Sequence, residues 1–532
     1  MKLSTRRFLL AFILLTELIL LIYFGFLKKG MHFDECFSYF NTNNSVGRMA
    51  YDRDYVSSFD IMKDFYVLEG EGFNYGYVVK LQSYDVHPPL FYLLLHTLCS
   101  FMPGVFSIWQ GLALNILYTL ISTIIVYLII KELFENEIFA LGATLIFAIN
   151  TGVICNMLFI RMYCLMTMFI LLAIYMHIKM SEYVHLNDIK TRYIILNAVL
   201  AYLGFMTHYF YLLFIFLLEF FFWLPKILNI KCHFKGFIKY CLGMIIAGGL
   251  GIALYPSCLG HVHSGYRGQE VMGYLKDTSD FGERLSFFTG LMNRFVFNGF
   301  LYIFLLASLL LFLFAYYKAA KIRPELKKVY VFVECIFFPT LGYFLVSAKS
   351  SLIGDEAMMR YQLPIYGLSL IALLVIIVGC VQFIIKEKDQ KIKQTLMLII
   401  MAIFLCTNII GLVNKNVFYL YTEQENMNDI ASNHKDETCV YIYHNENQKY
   451  LLWNDALELA KYKEVYFIDS SNKEPITDTK ITDADKLVVY VSTLGIPEDI
   501  NSINKIIFDT NHKVSEFTKL YDAVYATCYE FY

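Results

Sequence analysis

The sequence predicts an α-helical polytopic membrane protein of about 11 spans plus one short partial or re-entrant helix, followed by a small α/β domain. Three observations carry this. Of 532 residues, 58% are hydrophobic and only 17% charged, against about 25% charged in ordinary soluble chains. Apolar runs close to the roughly 20 residues needed to cross hydrocarbon recur up to residue 413. From residue 414 onward the composition is polar, with strand-like alternation. The net charge of -2 argues neither for nor against a nucleic-acid partner, and with no basic patch interleaved with aromatics none is expected.

At the N-terminus, Lys2, Arg6 and Arg7 precede the run 8–27. This run is longer than a signal-peptide core, and no small-x-small cleavage site follows it. It reads as a first transmembrane helix that starts inside. The further runs are 89–102, 106–130, 137–155, 157–178, 193–207, 209–224, 237–256, 299–317, 328–347, 362–385 and 394–413. The run 89–102 is short and ends at Pro103-Gly104. Three basic segments, Lys226 to Lys239, Lys318 to Lys328 and Lys386 to Lys393, favour the cytoplasm by the positive-inside rule. All three face inside only if 89–102 dips into the bilayer without crossing. If it crosses, they move outside. The first count sets the C-terminus outside and gathers Asp34, Glu35, Asp85, His87, Arg161, His208, His261, His263, Arg267 and Arg360 on that same side.

The expected domains are 1–413, in the membrane, and 414–532, soluble and extracytoplasmic. Within the first, the loop 28–92 mixes aromatics with charges, which suits short interfacial helices. The segment 257–297 carries Gly260, Gly265, Gly268 and Gly273 and reads as a lid-like loop. In the tail, Cys439 to Tyr443, Glu464 to Ile468, Lys486 to Val491 and Lys505 to Phe508 read as strands, with a helix over Gln448 to Lys461. Strand, helix, strand implies some parallel pairing. The 12 cysteines include no C-x-x-C pair and read as core thiols. Cys439 and Cys528 have a disulfide open to them if the tail is extracytoplasmic.

The chemistry concentrates in 28–92. Asp34-Glu35 follows the first span by a few residues, between Phe33 and Cys36-Phe37. The plain alternative is two solvated acids, but partial desolvation there raises carboxylate basicity, as a general base requires. Asp85-Val86-His87-Pro88-Pro89 opens the next apolar run. A proline-led helix start explains the prolines and leaves Asp85 and His87 unexplained. Arg161 lies between two apolar runs, where a lone Arg costs a few kcal/mol on insertion scales unless it snorkels. His208 reads either as a core histidine or as a site residue. His261 and His263 have metal-like spacing without an evident third ligand, so no metal or other cofactor is expected. Arg267 and Arg360-Tyr361 complete the pool.

These motifs resemble the GT-C glycosyltransferases, in particular the family 39 protein O-mannosyltransferase and aminoarabinose-transferase-like enzymes. Residues 1 to 370 carry the likeness, chiefly Asp34-Glu35 and Asp85-Val86-His87-Pro88-Pro89-Leu90, with Arg161-Met162-Tyr163-Cys164-Leu165 and Thr207-His208-Tyr209 in support. The resemblance implies a bacterial cell-envelope transferase with a polyprenyl-phosphate sugar donor, an active site at the outer face of the plasma membrane and inversion at the sugar carbon. Asp34, Glu35 and Asp85 are then the catalytic acids. His87, Arg161, His208, His261, His263, Arg267, Arg360 and Tyr361 form the substrate-binding pool. The acceptor would be a glycan, protein or lipid hydroxyl. In one departure, Asn115 stands where many relatives have an Arg, so another cation must hold the phosphate. Rival readings are a transporter or flippase of lipid-linked sugars, and a non-catalytic membrane subunit.

Overall fold

Long apolar stretches form long helices because a chain in hydrocarbon must satisfy its backbone internally. The computed structural model describes residues 2–43, 52–227, 233–263, 265–277, 279–322, 327–385, 389–445, 454–472, 474, 476–493 and 516–532. Among these, nine helices are long and apolar enough to span a membrane: Leu3–Leu27, Ile108–Phe134, Tyr163–Ser181, Phe210–Ile227, Phe234–Leu254, Leu301–Ala319, Lys327–Ser350, Leu363–Ile384 and Gln390–Val413. The bent pair Glu137–Ala148 and Thr151–Leu158 makes a tenth if it is one span. Thr191–Phe205 and Leu90–Ser100 are shorter apolar helices. The expected eleven spans therefore require Thr191–Phe205 to cross as well.

The chain forms two compact units, Met1–Phe26 with Val79–Phe91 and Gly111–Tyr419, and Leu27–Val78 with Tyr92–Gln110 and Leu420–Tyr532. The first holds most of the apolar helices. The second joins the early loop to the polar tail, a grouping that differs from a division at residue 413.

In the first unit, two breaks in the helical path matter most. Asn150 sits at the 51° bend between Glu137–Ala148 and Thr151–Leu158. Its Oδ1 accepts from the N–H groups of Gly152 and Val153, as an N-cap does. Its Nδ2 donates to Asn408 Oδ1 at 2.6 Å and to the Val296 carbonyl at 2.8 Å, so the bend is tied to two other segments. The second break, at residues 159–162, carries Arg161. The segment 257–297 folds mainly as three helices, Ser257–His263, Tyr266–Lys276 and Phe281–Phe295. Two of its glycines permit close packing at the first turn between them. A Cβ on Gly268 would lie 2.4 Å from the Val262 carbonyl oxygen, and one on Gly265 2.5 Å from that of His261.

The second unit is built on one six-stranded sheet: β1 (Tyr55–Ser57), β2 (Thr438–Tyr443), β3 (Glu464–Asp469), β4 (Leu487–Ser492), β5 (Phe517–Asp522) and β6 (Ala526–Phe531), in the order β1-β3-β2-β4-β6-β5. β2 pairs parallel with both β3 and β4, and the outer pairs are antiparallel. The expected parallel pairing is present. The hairpin β5–β6 and the contribution of β1 from the early loop were not foreseen. The expected strand over Lys505 to Phe508 lies outside the described residues, as does Gln448 to Trp453 of the expected helix, which is seen as Ala456–Leu459.

The sheet's two faces differ. One carries Val440, Ile442, Ile468, Val489 and Val491 in an apolar core with Ile476 and Ile481. The other carries Cys439, Tyr441, Tyr490 and Cys528, also buried. Cys439 pairs with Val488 and Cys528 with Tyr490, on opposite sides of β4. Two strand spacings of about 4.8 Å separate them, beyond the roughly 4.4–6.8 Å between Cα atoms that a disulfide requires. Both thiols are free.

Candidate functional site

In the first unit, three chain breaks converge. Pro88 and Pro89 lead into Leu90–Ser100, and the Leu90 N–H, an orphan of the first turn, donates to the Met206 carbonyl at 2.9 Å. This ties the Asp85–Pro89 segment to the break at Met206–Tyr209. The third break is stabilised by Asn115, whose Nδ2 donates to the carbonyls of Met157 and Phe159 at 3.0 and 2.8 Å. The Arg161 N–H then turns back to the Phe159 carbonyl at 2.7 Å, a three-residue turn that gives Arg161 its direction. Asn115 thus supports the arginine-bearing turn through the backbone.

His87 links these breaks. Its Nδ1 lies 3.0 Å from Asp85 Oδ2, and its Nε2 lies 3.4 Å from an Arg161 guanidinium nitrogen. Arg can only donate, so His87 Nε2 accepts and its Nδ1 carries the proton donated to Asp85. Arg161 is buried, at 4% exposure. Burial by itself would raise the Asp85 pKa. His87 first, through its field and its hydrogen bond, and then the Arg161 charge outweigh it and hold the carboxyl below its usual range. His208 packs its ring 5.8 Å from His87 and 5.4 Å from Tyr163. Its Nδ1 accepts the Phe210 N–H at 3.0 Å. Burial first, then His87 and Arg161, push its pKa well below the ordinary value, so it is neutral.

Tyrosines close the cluster. The Tyr255 hydroxyl donates to the His87 carbonyl at 3.4 Å. The Tyr209 hydroxyl meets His261 Nδ1 at 2.9 Å, and His261 Nε2 lies 3.3 Å from the Ser83 carbonyl. His263 is exposed. On a helix, residues two apart do not share a face, so His261 and His263 do not converge on one ion. Phe210 lies between His208, at 5.5 Å, and Tyr361, at 6.0 Å. Buried Arg360 stacks over Tyr361 at 5.1 Å. Arg267 belongs to Tyr266–Lys276, and its side chain lies outside the described residues. The structure thus brings together Asp85, His87, Arg161, His208 and His261, with Tyr361 and Arg360 joined through Phe210. The sequence reading missed Tyr255. Its signal was a polar ring next to a proline at a span end, which is common in membrane proteins.

Asp34 and Glu35 belong to the second unit, in the first turn of helix Phe33–Asn43. An acid pair suits the positive end of the helix dipole. Their surroundings differ. Glu35 is fully buried, with its Oε2 3.0 Å from Lys28 Nζ and accepting the His32 N–H at 2.6 Å. Lys28 also lies 5.2 Å from the Tyr421 ring centre. The Asp34 side chain is about one-fifth exposed. His32 Nδ1 accepts the Asp34 N–H at 3.1 Å, which leaves the His32 proton on Nε2. Gln424 reaches back to Met31 through both its amide atoms, at 3.1 and 3.2 Å. Gly30 is required beside it, because a Cβ there would lie 1.9 Å from Gln424 Oε1. Lys28 and Gln424 escaped the sequence reading; a Lys seven residues ahead of the Glu is too ordinary a spacing to single out.

One further cluster has ligand-like geometry. His434, Glu437 and Glu530 bring three donor atoms within 4.8 Å of one another. Lys486 Nζ lies 2.7 Å from Glu530 Oε1, so the group reads as an ion-pair network.

No protein-family profile matches the chain, and no curated protein sequence does. Solved structures do. ArnT from Cupriavidus metallidurans bound to undecaprenyl phosphate aligns over 99% of this chain and 98% of its own, at 8% identity and a TM-score of 0.50. The archaeal oligosaccharyltransferase AglB from Archaeoglobus fulgidus, in complex with an inhibitory peptide and a dolichol-phosphate, aligns over 92% of this chain and 70% of its own, at 11% identity and a TM-score of 0.46. The chain is an integral membrane protein that shares the fold of this ArnT structure.

Proposed function

We propose that the protein transfers a sugar from a polyprenyl-phosphate carrier to an acceptor hydroxyl at the outer face of the plasma membrane, with inversion. The Arg161–His87–Asp85 relay carries this reading. A buried guanidinium set beside a neutral histidine is suited to an arriving phosphate, because the Arg fork can bind two oxygens. The ArnT structure, with its undecaprenyl phosphate, supports a donor of that class.

In the reaction, Asp34 takes the acceptor's hydroxyl proton. The freed oxygen forms a bond to the anomeric carbon. The bond from that carbon to the phosphate oxygen breaks, and its electron pair leaves on the polyprenyl phosphate. That leaving group needs charge neutralisation more than protonation, so cations in a low-dielectric site suffice. Arg161 supplies the charge, with Arg360 and Arg267 in the same pool. His87, held by Asp85, orients the guanidinium toward the phosphate. Glu35 keeps Lys28 and the Asp34 turn in place.

The test is transfer from a panel of radiolabelled polyprenyl-phosphate sugars by protein in nanodiscs, wild type beside Asp34→Asn. Asp34-dependent consumption of one donor supports the reading and names the sugar. Full turnover by folded Asp34→Asn removes Asp34 as the base. Intact donor across the panel, with acceptors present, favours a transporter.

A further inference from the structure

The polar tail has a physical connection to the turn that carries Asp34, and the chain of contacts lies wholly within the second unit. Asp455 is completely buried against the tyrosine-bearing face of the sheet. Its Oδ2 accepts from the Tyr441 hydroxyl at 3.2 Å. The carboxyl also accepts from the backbone N–H groups of Val524 and Tyr525, in the turn between β5 and β6. The same turn is held from the other side by Thr493, whose N–H and hydroxyl donate to the Tyr525 carbonyl at 2.8 and 3.1 Å. The turn is thus pinned at both its donors and its acceptor. Its outward product is the Tyr525 ring, which meets Phe33 edge-on at 5.6 Å. Phe33 in turn packs on Phe37 at 4.6 Å, one helical turn later. Phe33 is the residue before Asp34, so the direction of Phe33 sets the entry of the helix and the direction of Asp34.

We infer that the C-terminal sheet domain is a positioning element for the proposed base: Tyr525, held by Asp455 and Thr493, seats Phe33 and fixes the first turn of helix Phe33–Asn43. This rests on the reading of Asp34 as the base. The tail then acts through Asp34's geometry and touches no substrate itself. A small displacement of a base costs rate while leaving donor affinity intact, because donor contacts lie elsewhere.

The experiment uses full-length protein in nanodiscs and two readouts, amide exchange over residues 31–43 and sugar-transfer kinetics. Tyr525→Ala should speed exchange in that segment by roughly tenfold while leaving β4 unchanged. Its kcat should fall by about tenfold with donor KM unchanged. Tyr525→Phe, which keeps the ring, should restore both. Asp455→Asn should show the same kcat and exchange pattern as Tyr525→Ala in a weaker form. Unchanged exchange over 31–43 in Tyr525→Ala overturns the inference, and so does faster exchange with undiminished kcat. A wild type that transfers no sugar overturns the proposed function instead, and the exchange data then still decide whether Tyr525 holds the Asp34 turn.

Discussion

Lys28 and Glu35 form an ion pair of 3.0 Å in which neither side chain is exposed to solvent. Its energetics are asymmetric. A buried pair is not strongly stabilising as a whole, but removing one partner leaves a buried charge. Burial pulls the Lys28 pKa down, and Glu35 pulls it back up. Glu35→Gln should therefore cost about 3 kcal/mol. The double variant Lys28→Met with Glu35→Gln should recover more than half of that. Chemical unfolding in detergent, followed by tryptophan fluorescence, reads both.

Arg161→Lys tests the fork. A lysine keeps the charge but loses the planar donor pair, and its ammonium no longer matches His87 Nε2. Donor kcat/KM should fall by about 10- to 100-fold, in line with the loss of roughly 1.5–3 kcal/mol for a hydrogen bond to a charged group. Unfolding midpoints should stay close to wild type. Equal turnover by Arg161→Lys would transfer the phosphate role to Arg360 or Arg267.

His208 predicts an acid limb. Its folded pKa is depressed, so between that value and the unfolded value of about 6.5 the unfolded chain binds a proton that the folded chain does not. Stability therefore falls as pH drops below about 6.5, by up to ~1.4 kcal/mol per pH unit. Melting at pH 7.5 and pH 5 should show this loss in wild type and a smaller one in His208→Gln.

Glu458 predicts the opposite sign. Burial, then neighbouring Asp455, raise its pKa. Above an unfolded value of about 4.3 the folded chain keeps a proton that the unfolded chain has released, so stability falls as pH rises toward the folded value. Glu458→Gln keeps an acceptor for the Tyr521 hydroxyl, now 3.1 Å from Glu458. It should be more stable than wild type at pH 8 and nearly equal to it at pH 4, by thermal melts across that range.

Much of the site was legible as residue types. Asp85-x-His87-Pro88-Pro89 stood out because prolines explain a helix start but not its charged neighbours. Arg161 stood out because a lone guanidinium between apolar runs is costly. The metal-like spacing of His261 and His263 lacked a third ligand already in the sequence, and spacing has meaning only once the local structure is known. In a helix the two point apart, and His261 is taken up by Tyr209 and Ser83. Likewise Asp34 and Glu35 were one motif in sequence and are two environments in the fold, one partly exposed and one sealed against Lys28.

The sequence by itself determined the membrane-spanning helices, the polar sheet-forming tail and the short list of ionisable groups near the span ends, because these follow from composition and from period along one strand of chain. Only the tertiary structure decided that β1, at residues 55–57, joins a sheet whose other strands lie beyond residue 437. It alone decided that Gln424 grips Met31, and that Asn115 pins the carbonyls ahead of Arg161. Those contacts join segments tens to hundreds of residues apart. Their partners are ordinary polar residues whose burial, and hence whose need for each other, exists only once the chain has packed.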